Sequence, residues 1–215
     1  MRAVAGRRGR PRPRATTRRP TVRCPARPAL ATPPPEHLGF FGDARSEAAY
    51  ETDITTLRAA GYDLKEIDFT PFVEAGRLVF GSAFVAERLV EYGSVLKNAP
   101  AAVHPAVRSA IEPGAGYSAQ DAFEAIYALA ALKRQAAIAL DGVDALVVPS
   151  VPTIFTIDEM LADPMGRNAI MGYYTYFANP LDLCAVATPG AGRSDGLPSS
   201  ITILSRATQD GLIRD

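Results

Sequence analysis

The sequence predicts an α/β protein in which helices and strands alternate around one buried sheet. From His37 onward, helix signals and strand signals follow one another along the chain. Residues 145–148 form an uninterrupted apolar run, which is typical of a strand buried on both faces. Of the 215 residues, 47% are apolar and 21% are charged, which suits a soluble domain with its own hydrophobic core.

The first 35 residues differ in composition from the rest of the chain. They contain ten Arg and eight Pro but no Asp or Glu. Such a segment cannot bury enough apolar surface to offset its ordering entropy, so we predict disorder over residues 1–35 and a folded body over residues 36–215. Three origins fit the segment: a transit peptide, a nucleic-acid or membrane arm, or translation from a displaced start or another frame of a GC-rich gene.

The net charge of zero hides an asymmetry along the chain. Ten of the 23 basic side chains fall in the first 35 residues, so the body carries 13 basic and 23 acidic side chains, a net of −10. An acidic body argues against nucleic acid as the main partner. No apolar run approaches the roughly 18 residues that span a membrane. The two cysteines, Cys24 and Cys184, form neither a disulfide framework nor a zinc spacing, which favours a cytoplasmic location.

The first half of the body contains three predicted elements before its long helix. Asp43 is placed to cap a helix over residues 44–60. Residues 62–69 form a strand pattern, and Pro71 suits the first turn of the helix that follows. Apolar residues at helical spacing predict an amphipathic helix over residues 83–97.

A long Ala-rich helix begins after Ser118, which forms a capping-box pattern with Asp121. Gly142 ends this helix before the apolar strand at 145–148. The apolar residues that share one face of the helix are Phe123, Ile126, Tyr127 and Ala130.

The last third of the chain is predicted to contain a loop, a strand and a short helix. Residues 163–180 are rich in Gly, Asn and Tyr and are predicted to form a loop. A turn at Asp195 and Gly196 precedes a strand over residues 200–204, and a short helix follows over residues 209–214.

Familiar catalytic and metal-binding motifs are missing from the sequence. His37 and His104 are isolated, and no HExxH, paired-Cys, GxGxxG or Walker pattern occurs. Ser199 and Ser200 could form a nucleophile pair, but entry into a strand after a turn is the commoner explanation.

Two further features each have a structural and a functional interpretation. Arg88 lies in the middle of its helix, where a surface pair with Glu91 is favoured by spacing alone and a guanidinium fork for a small carboxylate is the alternative. The tyrosine-rich stretch at residues 172–179 could line a polar pocket or pack in the core.

Several stretches, taken in order, resemble allophanate hydrolases of the amidase-signature family. The resemblance runs from about Pro35 to the end of the chain, some five-sixths of it. The stretches are PEHLGFFGDA at 35–44, FVAER at 84–88, SAQDAFEAIYALAALKR at 118–134, DALVVPSVPTIFT at 144–156, YTYFANPLDLCAVATP at 174–189 and DGLP at 195–198.

The resemblance implies a mixed β-sheet flanked by helices and the hydrolysis of a small amide, urea-1-carboxylate, in urea degradation. Family members use a Ser nucleophile, a second Ser in a cis peptide and a Lys base, without a metal or organic cofactor. These residues lie upstream of the resembling region. Because Lys65, Lys97 and Lys133 lie in no matching context, no catalytic residue is assigned in this chain.

The resemblance also implies a substrate-binding pair. The family holds the substrate carboxylate with a Tyr and an Arg that lie eight residues apart. Here the Arg position is Arg88, and the Tyr position is Phe80, which lacks the hydroxyl group. Pro180 is a second departure, since the family has an apolar non-proline residue there.

Three hypotheses follow from these observations. The chain could be a truncated allophanate hydrolase, the C-terminal part of an amidase domain that is inactive alone. It could be half of a split amidase that a separate N-terminal chain completes, or a non-catalytic binding protein derived from an amidase. Because half a domain exposes sheet edges and apolar surface, we predict association with a missing N-terminal half or self-association, and no nucleic-acid or membrane partner.

Overall fold

The computed structural model describes residues 27–214, which form a mixed five-stranded sheet flanked by helices. The spatial order of the strands is β2-β1-β3-β5-β4. Strand β1 pairs in parallel with β2 and β3, whereas β5 pairs antiparallel with β3 and β4. The α/β class and the mixed sheet are therefore confirmed. The strands are β1 (Leu30–Thr32), β2 (Leu64–Glu66), β3 (Ala145–Pro149), β4 (Leu183–Pro189) and β5 (Ser200–Arg206).

Eight α-helices lie among the described residues, and none is long and apolar enough to cross a membrane. Short 3-10 turns occur at Pro35–His37, Pro100–Ala102 and Glu112–Gly116. The helices are α1 (Ala44–Ala59), α2 (Thr70–Gly81), α3 (Phe84–Asn98), α4 (Pro105–Ile111), α5 (Ala119–Ala139), α6 (Ile157–Ala162), α7 (Pro164–Met171) and α8 (Asp210–Arg214).

The two predicted helix caps are present. The Asp43 side chain accepts hydrogen bonds from the backbone N–H groups of Arg45 and Ser46 at the start of α1. Ser118 and Asp121 form the reciprocal capping box at the start of α5. Both caps satisfy N–H groups that have no partner inside the helix, so short sequence patterns are enough to locate these helix starts.

The boundary predicted at residue 35 is wrong, because β1 lies within the segment predicted to be disordered. Leu30 and Ala31 are buried between β2 and β3. The Ala29 N–H also donates to a carboxylate oxygen of Asp144 at 2.8 Å. The composition of this segment predicted disorder. The three residues of β1 are nevertheless buried, because β2 and β3, which lie far along the chain, flank them in the sheet. The part of that prediction that concerns residues 1–26 lies outside the described residues.

The loop predicted over residues 163–180 is also wrong in part, since it contains α7. Asp163 caps this helix by accepting the Gly166 N–H at 3.0 Å, and Pro164 occupies its first turn. Both are ordinary helix-start signals that the high Gly, Asn and Tyr content obscured. Helices α4 and α6 and strand β4 were not predicted from the sequence.

Hydrophobic clusters cover both faces of the sheet, with β3 contributing to each. Leu146 and Val148 belong to the cluster under α2 and α5, whereas Ala145 and Val147 belong to the cluster under α1 and α8. This alternation confirms that the apolar run is a strand buried on both faces. The largest side chains of the α2–α5 cluster are Phe69, Phe72, Tyr174 and Phe177.

Helix α5 carries apolar side chains on two opposite faces. It buries Ala125, Leu132 and Ala136 against the body. The apolar face identified in the sequence points to solvent, where Phe123 is 58% and Tyr127 is 67% exposed. A 21-residue helix with such a face is a surface that nothing among the described residues covers.

Candidate functional site

Two depressions meet at Phe80, on the surface formed by α2, α3 and α7. We call the first the Phe80 cleft; its volume is about 530 Å³, and it is lined by Phe41, Val73, Gly76, Arg77, Phe80, Gly81, Met165, Asn168, Ala169, Ile170, Tyr173 and Tyr176. We call the second the Arg88 cleft; its volume is about 500 Å³, and it is lined by Phe80, Arg88, Tyr92, Ala106, Val107, Ala110, Ile111, Met160, Pro164, Met165 and Asn168. The clefts share Phe80, Met165 and Asn168, so a small ligand can contact both.

The structure brings the two residues of the predicted substrate-binding pair into contact. The Arg88 guanidinium carbon lies 4.6 Å from the centre of the Phe80 ring. Its Nη1 donates a hydrogen bond to the Val79 carbonyl at 3.1 Å. Among the described residues Arg88 forms no ion pair with Glu91, so the surface pairing that spacing favours is not formed.

The geometry leaves Arg88 suited to bind an anion. A guanidinium has five N–H donors, and the bond to Val79 is its one hydrogen bond among the described residues. Stacking on Phe80 fixes the plane of the group, and Arg88 is only half-buried at the Arg88 cleft. A planar donor fork held in this way can bind a carboxylate through two parallel hydrogen bonds.

Aromatic side chains form the wall of the Phe80 cleft. The rings of Phe80 and Tyr176 lie 4.8 Å apart, and the Tyr176 hydroxyl donates to the Asn168 carbonyl at 2.7 Å. A Cβ atom at Gly172 would fall within 1.9 Å of the Tyr176 ring, so this ring position requires glycine there. Burial raises the pKa values of Tyr173 and Tyr176, so both phenols remain protonated at neutral pH.

The tyrosine-rich stretch packs in the core, as one interpretation predicted, and it also lines a cleft, although that cleft is mainly apolar and not polar. Tyr174 and Phe177 are fully buried in the core. Tyr173 and Tyr176 line the Phe80 cleft. Two pairs of residues, each pair spaced by three, therefore anchor this turn-rich segment in the core and form the cleft wall.

A charged cluster that the sequence analysis missed lies at the start of α1. Arg193, with a side chain only 5% exposed, donates to Asp43 at 2.6 Å and to Asp195 at 2.9 Å. Its Nη1 also bonds the Ser46 hydroxyl. Burial alone would raise the pKa of Asp43, but hydrogen bonds from Arg193, the Ser46 N–H and Thr153 lower it overall. Because Arg193 and Asp43 lie 150 residues apart, no local pattern identifies this cluster.

A small polar pocket of about 50 Å³, the Asp53 pocket, lies beside this cluster. One Asp53 oxygen accepts the Ala191 N–H at 2.6 Å, while the other is buried and has no hydrogen-bond partner among the described residues. Burial raises the pKa of Asp53, and the bond from Ala191 opposes that shift. Ser199 Oγ accepts the Gly192 N–H at 2.9 Å and ties the same loop.

The described residues assemble no nucleophile–base pair around the two serines. Ser200 begins β5, as the structural explanation requires, and no Lys side chain between residues 27 and 214 hydrogen-bonds to Ser199 or Ser200. Lys65, Lys97 and Lys133 are exposed on β2, α3 and α5. No group of three His, Cys, Asp or Glu side chains in this part of the chain could hold a metal ion.

Comparisons with known proteins agree with the fold. No protein-family model matches the chain. Urea amidolyase of Saccharomyces cerevisiae is 32% identical over 178 residues, covering 82% of this chain and 10% of that protein. Urea amidolyase of Lachancea kluyveri is 30% identical over the same length and coverage. The chain thus spans about a tenth of the length of these curated relatives.

Solved structures give the same result. Allophanate hydrolase of Kluyveromyces lactis superimposes with a TM-score of 0.85 at 27% identity, over 91% of this chain and 32% of that one. The K. lactis urea amidolyase superimposes equally well but is covered to only 12%. A solved amidase at 22% identity, with a TM-score of 0.72, shows the same fold.

The sheet order and flanking helices, together with these superpositions, define an amidase-type fold. Within that class the chain is homologous to urea amidolyase and matches the structure of allophanate hydrolase over part of that enzyme's length. The family resemblance in the sequence is confirmed.

Proposed function

We propose that this chain is the C-terminal part of an allophanate hydrolase amidase domain and forms the wall that binds the substrate carboxylate. The contact between Arg88 and Phe80 carries the proposal, because it holds a guanidinium fork in the Arg88 cleft beside Phe80, where the two clefts meet. The substrate would be urea-1-carboxylate, a small amide with one carboxylate. Homology to urea amidolyase supports this choice of substrate.

Binding follows from the chemistry of the cleft residues. The Val79 carbonyl takes one donor of Arg88 and orients the group, and the remaining donors can bind both oxygens of a carboxylate. Such charge-assisted bonds are stronger than neutral ones, and partial burial limits competition from water. Asn168, which lines both clefts, offers neutral hydrogen-bonding groups to the amide end of the substrate.

Hydrolysis requires groups that residues 27–214 do not assemble. Attack on an amide needs an activated nucleophile, a base and donors for the oxyanion. We therefore propose that this chain does not hydrolyse amides alone. The chain covers 32% of the K. lactis allophanate hydrolase. We propose that the catalytic residues lie in the part of that enzyme that this chain does not cover.

A binding measurement tests the carboxylate wall separately from catalysis. Malonamate is a stable probe, since a CH₂ group replaces the central NH of urea-1-carboxylate. Calorimetry on the full chain should show that Arg88→Ala weakens malonamate binding by about tenfold or more, the loss expected for a charged hydrogen bond. Arg108→Ala is the matched control, because Arg108 lies on α4 and pairs with Glu112. Equal affinities for the wild-type and Arg88→Ala chains would refute the proposal.

The free edge of β4 favours a second candidate, half of a split amidase. Strand β4 pairs with β5 on one side, and no described strand pairs with its other side. An unpaired seven-residue strand can add a strand from another chain. Co-expression with the uncovered part of a urea amidolyase amidase domain should restore ammonia release, and Arg88→Ala should reduce it. Stable complexes without ammonia release would favour a non-catalytic binding protein.

A further inference from the structure

Tyr176 contacts residues on both sides of the proposed ligand site, although it does not line the Arg88 cleft. Its ring centre lies 4.8 Å from that of Phe80, and the Phe80 ring in turn lies 4.6 Å from the guanidinium carbon of Arg88. The Tyr176 hydroxyl donates a hydrogen bond to the Asn168 carbonyl at 2.7 Å. One side chain therefore contacts a neighbour of the proposed carboxylate ligand and the residue proposed for the amide end.

Two glycines leave room for the Tyr176 side chain. A Cβ atom at Gly172 would fall 1.9 Å from its ring, although the Gly172 φ of −87° suits any residue. The space that the ring occupies is therefore the reason for glycine at this position. On α2, a Cβ atom at Gly76 would lie 3.4 Å from the Tyr176 Cβ. Phe80 follows Gly76 by about one helical turn, so α2 brings Phe80 and Tyr176 together.

The hydroxyl of Tyr176 holds the end of α7. The Asn168 carbonyl accepts the Gly172 N–H at 3.1 Å as well as the Tyr176 hydroxyl at 2.7 Å. A carbonyl oxygen has two lone pairs, so these two bonds satisfy it fully. Asn168 lines both clefts, and its backbone is fixed at the ring tip of Tyr176.

We infer that Tyr176 is a positioning residue for ligand binding, which orients Arg88 through Phe80 and places Asn168 through its hydroxyl. This inference rests on the proposed function, because it concerns the same site. A guanidinium binds both oxygens of a carboxylate only when its plane is held. Arg88 has one hydrogen bond among the described residues, to Val79, so the Phe80 ring supplies its second restraint. Phe80 is itself 38% exposed, and Tyr176 is the ring that packs on it.

NMR of the full chain without ligand tests the contact through Phe80. The Phe80 ring should displace the Arg88 Nε–H resonance, which is assigned by its absence in Arg88→Ala. Tyr176→Leu should move this resonance toward those of exposed arginines, whereas Tyr176→Phe, which keeps a ring, should leave it in place. Tyr127→Leu is the matched control, since Tyr127 is 67% exposed and lines neither cleft. A general loss of stability does not shift a resonance of the folded chain, so an unchanged resonance in Tyr176→Leu overturns the inference.

Two ligands separate the ring of Tyr176 from its hydroxyl. Butyrate matches malonamate in its carboxylate and chain length but has no amide group. Tyr176→Leu should weaken the binding of both ligands about fivefold, and Tyr176→Phe should weaken that of malonamate alone by about as much. Equal weakening of both ligands by Tyr176→Phe would contradict the role assigned to the hydroxyl.

Gly172→Ala displaces the Tyr176 ring without removing any of its atoms. It should shift the Arg88 resonance and weaken malonamate binding, whereas Gly116→Ala, whose added Cβ meets nothing within 4 Å, should do neither. Failure of the proposed function has a different signature, because Arg88→Ala would then leave malonamate affinity unchanged. The Arg88 resonance in Tyr176→Leu and Gly172→Ala decides the positioning role without any ligand, and a resonance that stays in place in both refutes it.

Discussion

The Arg193 guanidinium lies 2.6 Å from a carboxylate oxygen of Asp43, although 150 residues separate them in the chain. Asp43 caps α1, so this contact joins the loop before β5 to the start of the first helix in the chain. The hydrogen bonds that Arg193 donates to Asp195 and Asp43 raise its pKa above its already high ordinary value. The cluster is thus ionised throughout the physiological range and joins the two ends of the described fold.

Arg193→Ala should lower the free energy of unfolding by about 3 kcal/mol, because it leaves the carboxylate of Asp43 largely buried without its cation. Urea denaturation followed by circular dichroism would measure the change. Arg45→Ala is the control, since Arg45 is 63% exposed and lies 3.6 Å from Asp195. That exposed pair should contribute less than about 1 kcal/mol. Equal losses in both variants would contradict the assignment of Arg193 as the buried centre.

Asp53→Asn should stabilise the chain at neutral pH, by on the order of 1 kcal/mol, because a buried carboxylate oxygen without a partner is replaced by a neutral amide. The raised pKa of Asp53 determines how this stability difference depends on pH. Protonated Asp53 favours the fold below the unfolded-state pKa, and this contribution is lost as the pH rises through the folded-state pKa. The advantage of the variant should therefore be full at neutral pH and disappear in acid.

Thermal unfolding between pH 4 and pH 8 would measure this difference. Asp141→Asn provides the control, since Asp141 is exposed near the end of α5. An advantage of Asp53→Asn that stays constant across the pH range would show that ionisation of Asp53 is not its cause.

Gly114→Ala should destabilise the chain by about 1–3 kcal/mol, because its Cβ would lie 2.9 Å from the Ala86 Cα and 3.0 Å from the Ala86 nitrogen. Both are backbone atoms of α3, so the helix that carries Arg88 must move. Malonamate affinity should fall together with stability. Gly116→Ala is the control two residues away, where an added Cβ meets nothing within 4 Å. Stability changes of equal size in the two variants would contradict close packing of Gly114 on α3.

Structural elements that depend on short sequence patterns can be predicted from the sequence. The caps at Asp43 and Ser118 and the apolar run of β3 depend on neighbours within a few residues, and all three are confirmed. Strand β1 was missed because its burial comes from β2 and β3, at Leu64 and Ala145, far along the chain. The prediction of a loop over residues 163–180 was wrong at α7, although the capping residue Asp163 is present in the sequence.

The contacts of the candidate site also differ in whether the sequence predicts them. Spacing alone favoured a surface pair of Arg88 with Glu91, and only the family resemblance connected Arg88 to Phe80. The structure places those two in contact. Neither spacing nor resemblance indicated the bond between Arg193 and Asp43, because side chains that meet across 150 residues leave no periodic signal.

Phe80→Tyr should strengthen malonamate binding about fivefold, because it restores one hydrogen bond of roughly 1 kcal/mol to the carboxylate held by Arg88. Phe80 is 38% exposed and stacks on Arg88, so a hydroxyl at the ring tip can be accommodated. Phe41→Tyr is the control, since Phe41 lines the Phe80 cleft away from Arg88. In the Arg88→Ala background the gain should largely vanish, because the two groups would act on one carboxylate. A gain of the same size with propionamide, which has no carboxylate, would show that the added hydroxyl acts elsewhere.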